Sequence, residues 1–424
     1  MPETASFESM TISGWRQFSQ ISISFHPRLT ILTGENATGK STLLGILAQH
    51  LNWNRTYSYS PPGKRGGLDW AALGPRRMKR LLADGGTVAE IGRLRYRNAS
   101  ETSINVPTGA SPERLGYDIY LPGRQDVSGV FLGSHRAPTG HYTSVPTIPT
   151  SFSNSEQLAD DYAQEIRQQW QGQWSSKSPQ LALKEALIAA AVFGGGQYNE
   201  FVDTNREARE IFTGFQKVLK AILPSSLGFR RLRVRGADLI LETTTGDFIF
   251  DEASGGVAAI IDIAWQIFLR SVGKQQFTVL LDEPENHLHP GLQRELLPAL
   301  LRAFPEAQFI VATHSPFVVT STPDSSVYVL RYDDRHSVTS RLLDYANKAA
   351  SADDTLTQVL GLPSTLPIWA ERRFDEIIER HLHGSITEEQ LSDLRAELSA
   401  YGLERDFPAA VLRLTATGEA AGAS

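Results

Sequence analysis

The sequence predicts an α/β fold in which strands present chemical groups at their carboxyl ends and helices pack against the sheet. Three stretches support this prediction: an apolar strand at 29–33 that enters a glycine-rich loop and a helix, an apolar strand at 277–281 followed by two acids, and an apolar strand at 308–313 followed by a histidine. Ligands of open α/β sheets bind at the carboxyl ends of strands, so these three loops are the first candidates for a site.

Composition sets the broad class. The chain has 424 residues, of which 41% are hydrophobic and 21% charged, enough for two or three domains or for one domain with an insertion. It contains no cysteine, which excludes disulfides, thiolate chemistry and cysteine-based zinc sites. The net charge of -6 argues against a surface that coats nucleic acid, although a local basic patch leaves such a partner open.

Membrane insertion is not expected. The N-terminus has no basic run before an apolar core, and no stretch approaches the roughly 18 apolar residues of a membrane span. We therefore expect a cytoplasmic protein without a membrane partner.

The loop after the first strand has the pattern of a phosphate-binding loop. Gly34 and Gly39 allow backbone N–H groups to point at a β-phosphate, and the apolar helix that follows directs its N-terminus at the same anion. Lys40 is expected to reach the β- and γ-phosphates, and Ser41 to ligate Mg²⁺. The predicted cofactors are thus ATP and Mg²⁺. The expected ATP contacts are Gly34, Glu35, Asn36, Ala37, Thr38, Gly39, Lys40, Ser41 and Thr42.

An arginine between two aromatic residues precedes this loop. Arg16 is a candidate ATP contact, and Trp15 and Phe18 are placed either to flank an adenine or to lie in the core. The sequence does not choose between these two interpretations.

The two later strands supply acid–base groups. Asp282 ends a buried strand and is expected to bind Mg²⁺, while Glu283 is the candidate catalytic base that polarises the attacking water. His314 follows the next strand and is expected to donate a hydrogen bond to the γ-phosphate.

A second anion-binding helix start lies upstream of the acids. Ser254, Gly255 and Gly256 open an apolar helix, which is a favourable place for a phosphate. One nucleotide has no need of two phosphate-facing helix starts from one chain. We therefore expect these residues to face the γ-phosphate held by another subunit.

The chain resembles the ABC ATPase superfamily in the order of four features: the phosphate loop, the Ser-Gly-Gly helix, the Asp-Glu strand and the histidine. Residues 253–257 align with its Leu-Ser-Gly-Gly-Gln signature, and 282–290 with 312–316 resemble the SMC-like branch that includes the OLD family. Stand-alone ATPases of anti-phage systems such as Septu, PARIS and retron-linked modules belong to that branch. The chain departs from the usual pattern at Ala37, Ala253 and Val257, and no lid glutamine stands in the 133–136 strand end.

The resemblance implies an ABC-type P-loop ATPase that hydrolyses ATP with Mg²⁺ and closes into a head-to-tail homodimer, or a multiple of dimers. In that dimer, 286–289 would cross the interface and 133–136 would lie near Mg²⁺. It further implies a sensor or regulatory subunit of an anti-phage complex, with a separate effector such as a nuclease or another toxin. Two alternatives stay open at this stage: a DNA repair or recombination ATPase, and the motor subunit of a transporter.

The pattern along the chain predicts four parts. These are an ATPase lobe with a β-rich subdomain at 1–140, a helical insertion at 141–225, the second half of the ATPase at 226–345, and a C-terminal helical extension at 346–424. Two arginine-rich places carry no decided role: the basic segment 64–80, and Arg231, Arg233 and Arg235 on one face of a strand.

Several features of related machines are missing from the sequence. The region between Thr42 and Ser254 has no heptad repeat for SMC-type coiled-coil arms. No Asp-x-Asp pair of a TOPRIM nuclease follows His314, and the histidine and metal-ligand cluster of an HNH nuclease has no counterpart. We therefore expect no nuclease activity in this chain.

Overall fold

The computed structural model describes most of the chain. The described residues are 5–58, 87–108, 116–135, 145–173, 177–195, 203–344, 351–360, 362, 364–381 and 387–421. The basic segment 64–80 and Arg136, both noted above, lie outside them. Contacts within the chain separate two compact units, Met1–Thr355 and Leu356–Ser424. The four-part division stays a prediction.

The α/β class is confirmed. The described residues form fifteen strands: β1 (Phe7–Trp15), β2 (Phe18–Ser24), β3 (Leu29–Gly34), β4 (Tyr57–Ser58), β5 (Val88–Tyr96), β6 (Glu101–Pro107), β7 (Gly116–Tyr117), β8 (Gly129–Leu132), β9 (Phe229–Arg235), β10 (Asp238–Thr243), β11 (Phe248–Ile249), β12 (Phe277–Asp282), β13 (Ala307–Ala312), β14 (Ser326–Tyr332) and β15 (Val338–Leu342).

The described residues also form helices. Those in the described part are α1 (Lys40–Ala48), α2 (Ser155–Trp170), α3 (Pro179–Gly194), α4 (Arg206–Ile222), α5 (Gly255–Ser271), α6 (Pro290–Ala303), α7 (Pro316–Val319), α8 (Ala352–Asp354), α9 (Ile368–His381), α10 (Glu388–Ala400) and α11 (Phe407–Ala421). None of them is long and apolar enough to cross a membrane.

One ten-stranded sheet organises the first unit, in the order β6-β5-β1-β2-β15-β14-β3-β13-β12-β8. The strands from β14 to β8 are parallel. Asp282 pairs with Ala312 across β12 and β13, and Ala312 pairs with Leu32 across β13 and β3. The loops that follow these three strands therefore open side by side at one edge of the sheet.

The parallel centre is buried on both faces, which explains its apolar sequence. Every residue of β3, β12 and β13 is buried. One core cluster joins the sheet to helices α2 to α6, and a second joins it to α1 and the antiparallel strands. This double burial fixes the strand ends on which the candidate site is built.

The region 141–225, predicted as a helical insertion, contains helices α2, α3 and α4. Each begins after a polar side chain that accepts a hydrogen bond from the first turn: Asn154, Ser178 and Asn205. A lysine of α3 is fully buried, and its Nζ lies 2.5 Å from Oδ2 of Asp251, which is buried as well. This ion pair ties α3 to the turn that precedes α5.

The arginines of β9 lie on the outer strand of a small sheet, in the order β11-β10-β9. Arg231, Arg233 and Arg235 are exposed, and the first two pair with Glu242. Their shared carboxylate explains how like charges lie close together on one strand face.

The second unit has a core of its own. The buried residues of this core come from α9, α10, α11 and the segment between α10 and α11: Ala370, Phe374, Ile377, Ile378, Leu394, Leu398, Leu403, Ala410 and Leu414. Helix α10 begins at a capping box in which Thr387 and Gln390 satisfy each other's backbone N–H groups.

A buried histidine at the end of the α1 segment predicts a pH dependence of stability. His50 Nδ1 donates to the Leu47 carbonyl at 3.0 Å, so Nε2 accepts from the Tyr96 hydroxyl at 2.8 Å. Burial lowers the pKa of His50 to about 4. The hydrogen bond to Leu47 opposes this decrease, and the positive charge of Arg124 adds a small further decrease. The folded protein therefore takes up this proton less readily than the unfolded chain, whose histidine keeps an ordinary pKa of about 6.5.

We expect the His50 contribution to stability to be complete above about pH 6.5 and to fall by about 3 kcal/mol as the pH drops to about 4. Urea unfolding of the wild type and of His50→Gln, measured between pH 7 and 4, checks this. Other groups titrate equally in both proteins, so the difference between the two curves isolates His50. Parallel curves would contradict the prediction.

Candidate nucleotide site

Two glycines shape the loop between β3 and α1. Gly34 and Gly39 have φ angles of 139° and 93°, which side chains rarely adopt. A Cβ on Gly34 would overlap the Leu330 carbonyl oxygen of β14, and a Cβ on Gly39 would overlap the ring of Phe18. Both glycines are therefore required by backbone conformation and by space. Ala37 also has a positive φ, of 65°, where the resembling family usually has glycine.

The loop encloses the Lys40 side chain. Lys40 is 6% exposed, and its Nζ donates to the carbonyl oxygens of Gly34 at 2.8 Å and Glu35 at 2.9 Å. Burial lowers the pKa of Lys40, against the charges of Glu283, Asp282 and Glu285. The ammonium group is thus held inside the loop, where an anion would be bound.

Ser41 and Asp282 form the contact between the phosphate-binding loop and the end of β12. The Ser41 hydroxyl donates to Asp282 Oδ1 at 3.0 Å, across 241 residues of sequence. Burial raises the pKa of Asp282 to about 6; Glu283 and Glu285 add to this increase, while the Ser41 hydrogen bond and Lys40 oppose it. A cation beside Asp282 would favour its charged form.

These two oxygen donors fit Mg²⁺, which prefers hard oxygen ligands and takes only one or two from a protein when phosphates and water supply the others. Among the described residues, no group of three or more His, Asp or Glu side chains is placed to hold a metal ion. A nucleotide-bound Mg²⁺ at Ser41 and Asp282 is compatible with that finding.

Glu283 follows β12 and His314 lies just after β13, and their side chains are adjacent. His314 Nδ1 is 3.3 Å from Glu283 Oε1. The Glu283 backbone has a left-handed φ of 47°, and its N–H donates to the Ala312 carbonyl oxygen at 2.8 Å. A non-glycine residue in this conformation stores strain, a feature that is concentrated at functional sites.

The 133–135 strand end approaches the same place. Asn286 Nδ2 donates to the Ser134 carbonyl oxygen at 3.1 Å and lies 3.4 Å from Glu283 Oε2. Gly133, Ser134 and His135 also line a cavity of about 510 Å³, whose wall includes Ser41 and Asp282. The cavity leaves room for water on the side of the loop where the acids lie.

Ser254 and Gly255 are exposed at the start of α5, and the Ser254 side chain makes no capping hydrogen bond. Gly256 lies against the loop that follows the acids, since a Cβ on it would be 3.3 Å from the His287 carbonyl oxygen. An exposed helix start with free N–H groups is able to bind an anion from outside the chain.

The aromatic pair before the phosphate loop belongs to the core. Trp15 and Phe18 are 0% and 1% exposed, and the Trp15 Nε1 donates to the Tyr117 hydroxyl. Flanking of an adenine by these two rings, one of the two interpretations left open above, is therefore wrong. Arg16 is exposed in the turn between β1 and β2, with its guanidinium 5.9 Å from the ring centroids of Trp15 and Tyr57.

Sequence reasoning missed three residues that shape the site. Tyr332 OH donates to the Ala37 carbonyl oxygen at 3.0 Å, and Gln17 Nε2 lies 3.5 Å from the same oxygen. Tyr332 ends β14 and Gln17 lies in the turn between β1 and β2, and neither belongs to a sequence motif. Glu285 accepts hydrogen bonds from the 313–315 turn, and its place in the same acidic string as Glu283 was an available signal.

Similarity to known proteins agrees with this geometry. A family model described as "AAA domain, putative AbiEii toxin, Type IV TA system" matches residues 29–320. "Septu protein PtuA" from Bacillus thuringiensis is 27% identical over 158 residues, which cover 34% of this chain and 40% of that protein. "Retron Ec83 probable ATPase" from Escherichia coli is 35% identical over 115 residues, or 24% of this chain and 21% of that protein. The chain thus covers less than two thirds of either relative.

Among solved structures, the "SMC head domain from Thermotoga maritima" is similar at a TM-score of 0.41 and 13% identity, over 80% of this chain and 99% of that one. The resemblance to Septu and retron-linked ATPases inferred from motifs is confirmed by the sequence matches. Because the family match extends over more than half of the 424 residues, the chain belongs to the AAA-domain ATPase family with the description given above.

Proposed function

We propose that this chain is a Mg²⁺-dependent ATPase whose active sites are completed by a second copy of itself. One observation supports it most: the Ser41–Asp282 hydrogen bond places the phosphate loop and the acidic strand end in contact. Lys40, Glu283 and His314 converge on the same edge of the sheet. A nucleotide triphosphate with its metal is the ligand that this set of groups suits.

Each residue has a distinct part in the proposed reaction. Lys40 and the loop N–H groups neutralise phosphate oxygens, and Ser41 and Asp282 hold Mg²⁺, which supplies charge stabilisation when bound. Glu283 accepts the proton of the attacking water, and His314 donates a hydrogen bond to the terminal phosphate. Arg16 is exposed, and its neighbour Gln17 contacts the loop at Ala37, so we propose that Arg16 contacts the nucleotide.

The exposed start of α5 supports the head-to-tail arrangement. Ser254 and Gly255 are exposed at this helix start, and Gly256 follows them in the first turn. A phosphate held by a second copy is the proposed partner of these three residues. Hydrolysis would then open the interface, so that the nucleotide controls a two-state equilibrium.

Mixing two inactive variants tests this arrangement. Lys40→Ala disables the loop, and Ser254→Arg blocks the opposing helix start. In a mixed dimer, one site combines the intact loop of one copy with the intact helix start of the other. We expect each variant alone to be inactive and an equal mixture to regain about one quarter of wild-type ATPase activity, because half of randomly formed dimers are mixed and each has one intact site. No recovery in dimers shown to exchange subunits would contradict the proposal.

We also propose that the chain acts in the cytoplasm as the regulatory subunit of an anti-phage system with a separate toxic effector, and does not itself cut nucleic acid. The Septu and retron ATPases among its relatives support this role. Affinity purification of the native protein, with identification of the chain that co-purifies, tests it. Recovery of nucleic acid or of a membrane protein instead would favour the repair or transport alternatives.

A further inference from the structure

Glu285 is a buried carboxylate without a part in the reaction proposed above. It is 4% exposed, and its Oε1 accepts three hydrogen bonds: from the Thr313 hydroxyl at 2.5 Å, the His314 N–H at 3.1 Å and the Ser315 N–H at 3.2 Å. Its Oε2 is buried and accepts no hydrogen bond from the described residues. Burying a carboxylate with one oxygen unsatisfied costs folding free energy, so packing does not account for the residue.

The same carboxylate meets the imidazole ring. His314 Nδ1 lies 3.5 Å from Glu285 Oε1 and 3.3 Å from Glu283 Oε1. Glu285 thus contacts both the backbone and the ring of His314, although that side chain is 48% exposed. With Nδ1 beside two carboxylates, Nε2 is the ring nitrogen left for a phosphate oxygen.

The surrounding turn is held by further hydrogen bonds. Ser315 N–H also donates to the Thr313 hydroxyl oxygen at 3.0 Å, and the Ser315 hydroxyl donates to Gln293 Oε1 at 2.6 Å. Glu285 is the acceptor at the centre of this turn. Removing its oxygen would free three donors at once, and the half-exposed ring would lose the backbone that orients it.

We infer that Glu285 is a positioning residue that holds His314 against Glu283, and that it affects hydrolysis chiefly through His314. This inference deepens the proposed function and rests on it. The inferred role depends on hydrogen-bond acceptance by Oε1, which a glutamine at 285 would keep in part and a leucine would lose.

Kinetics of four variants test the inference. We expect Glu285→Leu to lower kcat about as much as His314→Ala, by about tenfold or more, with ATP affinity changed less than about twofold because the Lys40 loop is untouched. Glu285→Gln should keep more activity than Glu285→Leu. The double variant Glu285→Leu with His314→Ala should be no slower than His314→Ala alone, since both changes remove one function.

Independent effects would overturn the inference: a double variant whose loss is the product of the two single losses, or a Glu285→Leu protein that loses ATP affinity in step with kcat. If Glu285→Leu does not fold, Thr313→Val removes one donor without removing the buried charge, and the same comparison with His314→Ala applies. Absence of ATPase activity in the wild type would instead refute the proposed function. An active wild type with an unaffected Glu285→Leu variant would refute this inference alone.

Discussion

Glu283→Gln is expected to lower kcat for ATP hydrolysis by about 10²–10³-fold while ATP still binds. Glutamine matches glutamate in shape but cannot accept the proton of the attacking water. Lys40 and Ser41, which hold the phosphates and metal in the proposed site, are unchanged. Because bound ATP would no longer be consumed, the closed dimer should accumulate. Phosphate release and nucleotide-dependent size-exclusion chromatography measure the two effects.

A matched control separates catalysis from loss of charge. Glu295 is an exposed acid on α6, outside the proposed site. Glu295→Gln should hydrolyse ATP at the wild-type rate. If Glu283→Gln also did so, Glu283 would not be the catalytic base, and the proton would have to leave by another group.

Lys184→Met is expected to destabilise the first unit by about 3–5 kcal/mol. The side chains of Lys184 and Asp251 are 0% and 1% exposed, and Lys184 Nζ lies 2.5 Å from Asp251 Oδ2. Lys184 Nζ also lies 3.6 Å from Asp238 Oδ1. Without the ammonium group, Asp251 keeps a hydrogen bond from Gln180 but has no cationic partner among the described residues. The measurement is the free energy of unfolding from urea titration of the full chain, with the transition of the first unit followed separately.

Two further variants identify the cause. The Lys184→Met and Asp251→Leu double variant should recover most of the loss, because an apolar pair of similar volume replaces a buried ion pair at little cost. Lys177 pairs with Glu185 at 2.6 Å next to the same helix but is 47% exposed, so Lys177→Met should cost less than about 1 kcal/mol. Equal losses for Lys177→Met and Lys184→Met would contradict the role given to burial.

The sequence predicted those parts of the candidate site whose residues are adjacent to one another in the chain. Gly34 to Thr42, Asp282 with Glu283, and His314 each follow an apolar strand directly. An unbroken apolar run predicts a buried parallel strand, and the carboxyl ends of neighbouring parallel strands lie at the same edge of the sheet. The contact between Ser41 and Asp282 follows from these local facts.

The remaining contacts depend on pairings that no local pattern encodes. The residues around Trp15 give no sign that Tyr57 and Tyr117 lie against its ring. Asn286 and Ser134 meet across 152 residues. A lysine in a helix is usually exposed, and the partner that permits Lys184 to be buried is 67 residues away.

Backbone hydrogen bonds join the roots of the three loops. The Thr313 N–H donates to Leu32 and the Glu283 N–H to Ala312, just where the strands end. The first residue of each loop is therefore fixed to a neighbouring strand, and a displacement of one strand end would break a hydrogen bond to the next. Nucleotide-driven movement should accordingly be greatest in the side chains and loop tips, while the three strand ends keep their positions relative to one another.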